Sequence, residues 1–126
     1  MQKIYAAVRY AERFIGTPYK WGGASPIDGL DCSGFIQVVL QSVGIDPPGD
    51  QTAQALFEYF KKAGKESKPS AGCLLFFGAD YMSHVAMAIS DWQMIEAGGG
   101  NAKTRTRDDA IRQNAYVRVR PIGNRS

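Results

Sequence analysis

One cysteine and one histidine carry the chemistry that this sequence offers. Cys32 lies in Leu30-Asp31-Cys32-Ser33-Gly34-Phe35, where a glycine-bearing turn gives way to the apolar run Phe35–Leu40. That run has helical rather than strand length, so the thiol is expected on the first turn of a helix. There the backbone N–H groups and the positive end of the helix dipole favour an anion. The thiolate is the nucleophilic form of cysteine, and such a position lowers a thiol pKa. The single histidine, His84, lies far along the chain in Ser83-His84-Val85-Ala86-Met87-Ala88-Ile89, which reads as a strand. An activated cysteine and a distant histidine form the outline of a cysteine hydrolase.

The bland alternative for Cys32 is a small buried hydrophobe, as most free cysteines are. Polar Asp31 and Ser33 on either side argue against it, as do the glycines of the preceding segment (Gly16, Gly22, Gly23, Gly29), which let backbone approach closely. Cys73, in Gly72-Cys73-Leu74-Leu75-Phe76-Phe77, reads as a buried, inert thiol on an apolar strand. A Cys32–Cys73 disulfide would consume the better nucleophile. Two cysteines and one histidine are too few for a closed zinc site.

A third polar group is expected beside His84. Glu96 follows on the next strand, joined by a turn at Asp91 and Trp92. On strands, Glu96 and Ile95 point to opposite faces, as do His84 and Val85. A carboxylate accepting the imidazole N–H fixes the ring and stabilises the imidazolium. The alternative is a solvent-facing glutamate before the Gly98-Gly99-Gly100-Asn101 loop, which reads as flexible.

The elements that must position these residues follow from periodicity and breakers. Ile4, Val8, Ala11 and Ile15 share a helical face, which predicts an amphipathic helix over 3–15, ended by Gly16 with Pro18 beyond. A loop over Thr17–Leu30 leads to a helix over Cys32–Val43, stopped by Gly44. After the loop Asp46-Pro47-Pro48-Gly49-Asp50 a third helix spans Thr52–Ala63, with Leu56, Tyr59, Phe60 and Ala63 inward and Gly64 after it. Lys65–Ala71 is a polar connection. Strands are expected at Cys73–Phe77, Val85–Ser90, Gln93–Ala97 and Tyr116–Arg120, with a helical turn at Asp108–Gln113. Helices first and antiparallel strands after predict an α+β domain.

At 126 residues the chain reads as one domain, 1–126, able to bury a core without disulfides or metal. Its 44% apolar and 21% charged content is ordinary for globular proteins. The net charge of +3 comes mostly from the C-terminal part, including Lys103, Arg105, Arg107, Arg112, Arg118, Arg120 and Arg125. This reads as a solvated basic face or a mild attraction to an anionic polymer. No interleaved basic and aromatic pattern points to nucleic acid. Arg9, Glu12 and Arg13 interrupt the N-terminal apolar stretch, which is therefore not a signal peptide, and no segment is expected to enter a membrane.

Gly16-Thr17-Pro18-Tyr19-Lys20-Trp21-Gly22-Gly23, then Asp31-Cys32-Ser33-Gly34-Phe35, then Ser83-His84-Val85-Ala86-Met87-Ala88-Ile89, resembles the NlpC family of cell-wall cysteine peptidases over nearly the whole chain, from Ile4 to Pro121. The resemblance implies a papain-like fold, N-terminal helices packed on a C-terminal antiparallel sheet. It implies cleavage of peptidoglycan peptide stems, commonly between D-γ-glutamyl and a diamino acid, with Cys32 as nucleophile, His84 as base and Glu96 as third residue. Histidine is frequent at that third position, so Glu96 departs from the commonest form.

By the same resemblance Tyr19 borders the site, although it could instead pack under the Gly22-Gly23 turn. Asp31 and Ser33 match residues that hold the amine of an N-terminal L-alanine in relatives specific for short stems, whereas Asp31 could also simply cap its helix. Trp21 is expected in the core or as cleft wall. No metal or organic cofactor is needed, and a monomer acting at the bacterial wall is expected. Without a leader in this chain, its route there is phage lysis, a phage particle or a missing export segment; cytoplasmic recycling is the other possibility. The rival readings are an amidase or transglutaminase-like acyl transferase on the same fold, and a non-enzymatic wall or phage-assembly domain.

Overall fold

A computed structural model describes residues 2–61 and 68–124. Helix α1, Gln2–Glu12, ends earlier than its apolar spacing predicts. The following turn is stitched elsewhere: Gly16, at φ +93°, donates its N–H to Val117 O at 2.8 Å. The buried stripe is therefore Ala7, Val8 and Ala11, while Ile4 and Ile15 are exposed. Small residues at the contact let a helix lie close to its neighbour.

The expected loop contains a two-stranded antiparallel ribbon, β1 (Ala24–Ser25) and β2 (Gly29–Leu30). Ser25 Oγ accepts N–H bonds from Ile27 and Asp28 and closes its turn. Helix α2, Cys32–Ser42, follows at once. It is buried from Ser33 to Leu40, as expected of a helix apolar on most sides. Gly44, at φ +73°, terminates it. Gln37, buried within α2, clamps the next loop by donating to Gly49 O and accepting from Gln51 N, both at 2.8 Å.

Helix α3, Ala53–Phe60, is capped by Thr52, whose side chain accepts from Ala55 N. Its buried residues are Ala53 and Leu56; Tyr59, expected inward, is exposed with its ring edge-on to Phe60. The expected extension to Ala63 and Gly64 lies outside the described residues, as do residues 65–67 of the Lys65–Ala71 connection.

Four strands form one antiparallel sheet in the order β3 (Leu74–Phe77), β4 (His84–Ala88), β5 (Gln93–Gly98), β6 (Tyr116–Pro121). The turn between β4 and β5 is closed by Ser90 Oγ accepting from Gln93 N. Helix α4, Arg107–Gln113, carries a reciprocal capping box between Thr106 and Asp109 and ends on left-handed Asn114. One face of the sheet, with Val85, Met87, Ile95, Ala97 and Val117, joins Phe35, Ile36 and Val39 of α2 in the core. This is the predicted α+β architecture. Among the described residues no helix is long and apolar enough to cross a membrane.

Candidate active site

The nucleophile candidate stands at the start of the central helix. Cys32 is half-buried on the first turn of α2, and α2 packs directly against β4 and β5. Asp31 is the N-cap: Oδ1 accepts from Gly34 N at 2.7 Å and from the Ser33 hydroxyl at 3.3 Å. Its other oxygen accepts from Gly22 N at 3.1 Å, so one carboxylate ties the helix start to the preceding loop. Burial raises the Asp31 pKa above the usual 3.8, against the opposing pull of the Gly34, Ser33 and Gly22 bonds. Gly34 has no room for a Cβ, because Gly23 O and Asp31 Oδ1 close on that position.

His84 opens β4 and is 6% exposed. Its Nε2 lies 2.8 Å from Glu96 Oε1, and Glu96 is fully buried. The strand register explains the meeting. Met87 pairs with Ile95 and Ala88 with Met94, so the ladder continued by one residue sets Ala86 opposite Glu96. His84 is then diagonal to Glu96 on the same face, within reach of long side chains. Gly98 leaves the space: a Cβ there would fall 2.8 Å from the Glu96 carboxyl carbon. With Nε2 held by Glu96, Nδ1 is the ring nitrogen left to exchange a proton. Phe77 flanks the ring at a centroid distance of 5.9 Å.

Glu96 also meets two cations of the C-terminal basic stretch. Arg118 is its direct cross-strand partner in β6. Arg118 Nε and Arg120 Nη1 lie 3.6 and 3.5 Å from Glu96 Oε2. The signal was present in the alternation of Tyr116, Arg118 and Arg120 with Val117 and Val119, which puts the arginines on the face away from the valines. Only the register with β5 aligns them with Glu96.

Tyr19 is buried, donates its N–H to Ala115 O, and has Gly100 against its ring. Trp21 is 50% exposed, so it is not core; its N–H donates to Thr104 O at 2.7 Å and fixes the loop backbone. Cys73 is half-buried rather than buried, 3.3 Å from Ser70 Oγ, and both cysteines are free thiols.

The NlpC/P60 family model matches residues 16–121. The chain belongs to the NlpC/P60 family. Among relatives of that family, the bifunctional muramidase/DL-endopeptidase CwlT of Bacillus subtilis is 35% identical over 71% of this chain and 28% of its own length. The gamma-DL-glutamyl hydrolase of Bacillus subtilis is 35% identical over 82% of this chain and 24% of its own. The chain thus spans less than a third of either relative. The solved NlpC/p60 domain of the peptidoglycan hydrolase SagA is 32% identical, covers 95% of this chain and 90% of its own, and superposes with a TM-score of 0.70. The peptidoglycan hydrolase RipB of Mycobacterium tuberculosis gives 26% identity and a TM-score of 0.68 over 96% of this chain and 59% of its own. The papain-like α+β fold of these NlpC/P60 structures is the fold of this chain.

Proposed function

We propose that the chain is a cysteine peptidase that hydrolyses peptide stems of bacterial peptidoglycan, at the bond between D-γ-glutamyl and a diamino acid. The observation that carries this is the buried 2.8 Å His84–Glu96 contact on strands that pack against the helix opened by Cys32. A carboxylate on one ring nitrogen is what a histidine needs to act as base at the other. The names of the relatives, a DL-endopeptidase and a glutamyl hydrolase among them, support the substrate class.

In this reading Cys32 thiolate attacks the scissile carbonyl, and a thioester forms as the C–N bond breaks. His84 gives its Nδ1 proton to the leaving amine. Water, deprotonated by the same nitrogen, then releases the acyl group as a free acid. The Cys32 backbone N–H and a neighbouring donor stabilise the oxyanion. Glu96 holds the ring and stabilises the imidazolium. Trp21, exposed on the loop before Cys32, serves as a wall of the cleft, and Tyr19 supports that wall from beneath Gly100. Asp31 and Ser33 shape the first turn and offer a carboxylate and hydroxyl to a stem amine. In this reading residues 1–126 form one catalytic domain that acts on the wall as a monomer.

Digestion of purified peptidoglycan, followed by mass analysis of released peptides, tests this. Free acids ending in D-γ-glutamate are expected. Products carrying an added amine would reassign the activity to acyl transfer, and an uncut wall with uncut soluble fragments would overturn the reading.

A further inference from the structure

The carboxylate of Glu96 divides its two oxygens. Oε1 takes the imidazole, while Oε2 faces two guanidinium groups. At 3.5 and 3.6 Å these are charge contacts rather than short hydrogen bonds. Arg118 Nε is buried and makes no hydrogen bond among the described residues, so the carboxylate is what it faces. The rest of that guanidinium is fixed: Nη1 donates to Asn114 O at 3.1 Å, at the left-handed end of α4, and the group lies over the Tyr116 ring. Arg120 contributes from the next position on the same face of β6. A fully buried carboxylate without compensating charge takes up a proton. Protonated, or rotated about its terminal bond, Glu96 would no longer present an anionic Oε1 to His84.

We propose that Arg118 and Arg120 are positioning residues for the reaction: together they keep Glu96 ionised and turned toward His84, and so act on Cys32 through two intermediates. This rests on the Cys32–His84–Glu96 reading above. The two arginines share one oxygen, so each partly covers for loss of the other.

The test is the rate of iodoacetamide alkylation at neutral pH, followed on the Cys32 peptide by mass spectrometry, together with kcat and KM on muramidase-solubilised peptidoglycan fragments. Arg118→Met should slow alkylation about threefold and Arg118→Met/Arg120→Met about tenfold, because the rate follows the thiolate fraction. Arg118→Lys, which keeps a charge, should retain most of the rate. The loss should fall on kcat and leave KM unchanged. In a Glu96→Gln background, Arg118→Met should add nothing further, since the group it acts on has lost its charge. Losses that multiply in that background, or a folded double-Met variant as fast as wild type, would overturn the proposal. Should the double-Met variant not fold, Arg118→Met against Arg118→Lys, each with and without Glu96→Gln, decides the matter. Failure of the underlying triad looks different: wild-type Cys32 would react no faster than a free thiol and the fragments would stay uncut.

Discussion

The same three strands present two unlike faces. On one, Val85, Met87, Ile95, Ala97 and Val117 are buried against α2. On the other, His84, Glu96, Arg118 and Arg120 meet over small neighbours, Ala86 and Gly98. Period-two alternation lets each strand serve both. The apolar face is held by non-directional burial, so hydrophobic side chains of similar volume can replace one another there. The polar face is held by the short His84–Glu96 contact, the longer contacts of Glu96 with Arg118 and Arg120, and the space left by a missing Cβ. It tolerates little change, because a buried polar group that loses its partner keeps its full desolvation cost. Substitutions on the two faces should therefore separate activity from stability.

The largest effect is expected at Cys32, the proposed nucleophile. Cys32→Ala should cut hydrolysis by about 10⁴-fold or more without unfolding the protein. Cys73→Ala, half-buried before β3, should keep activity and cost little stability. The comparison is measured by peptidoglycan digestion beside thermal unfolding; loss of activity from Cys73→Ala in a folded protein would reverse the assignment.

Glu96 comes next. Glu96→Ala should lower kcat by about 10²- to 10⁴-fold, less than Cys32→Ala, since an orienting group supports the chemistry without performing it. It should also destabilise, leaving two guanidinium groups without their counter-charge. That cost should fall short of the about 3–5 kcal/mol of a fully buried pair, because Arg118 and Arg120 both reach water. Glu96→Gln keeps an oxygen for Nε2–H and should retain more activity than Glu96→Ala if orientation dominates. Full activity in a folded Glu96→Ala would remove Glu96 from the site. On the opposite face Ile95→Ala should cost about 2–5 kcal/mol in denaturant unfolding yet leave kcat per folded molecule near wild type. A selective kcat loss there would show that the two faces are not independent.

How much of this could be read from residues alone follows the same division. The helix at Cys32, its cap at Asp31 and the strands at His84 and Glu96 are local features, written in apolar spacing, turn residues and alternation. Strand ends shifted by a residue or two, as at His84–Ala88 against the expected Val85–Ser90, because the ladder and not the apolar run decides where pairing stops. The short ribbon at 24–30 was not visible, since two-residue strands carry no periodicity. Ile4 and Ile15 were placed inward by spacing, yet a helix that ends at Glu12 and a stitched Gly16 leave them outside. Arg118 and Arg120 were legible only as charge. Their meeting with Glu96 depends on register between strands about twenty residues apart in the chain, which no local pattern encodes.

Gly98→Ala should give a smaller loss. The added methyl would meet the Glu96 carboxylate and turn it off His84, so kcat should fall more than stability, about tenfold against about 1 kcal/mol. Equal activity in Gly98→Ala would mean that the carboxylate has room to spare.

The smallest effect concerns the other half-hidden carboxylate, Asp31. Unlike Glu96, it makes no ion pair among the described residues; its partners are the Gly34 and Gly22 N–H groups and the Ser33 hydroxyl. Burial is the largest influence on it and raises its pKa. A raised folded-state pKa means that the protonated form is favoured by folding. The resulting stability is fully present below the unfolded value near 3.8 and is lost as pH rises through the higher folded value. Asparagine caps a helix about as well as aspartate and does not titrate. The stability of Asp31→Asn relative to wild type should therefore increase from pH 3 toward neutrality, measured by urea unfolding at each pH. If instead wild type gains on Asp31→Asn as pH rises, the Asp31 charge is stabilised where it sits, and its cap bonds outweigh burial. A parallel drop in kcat/KM for short stem peptides, but not for intact wall, would add amine binding to its capping role.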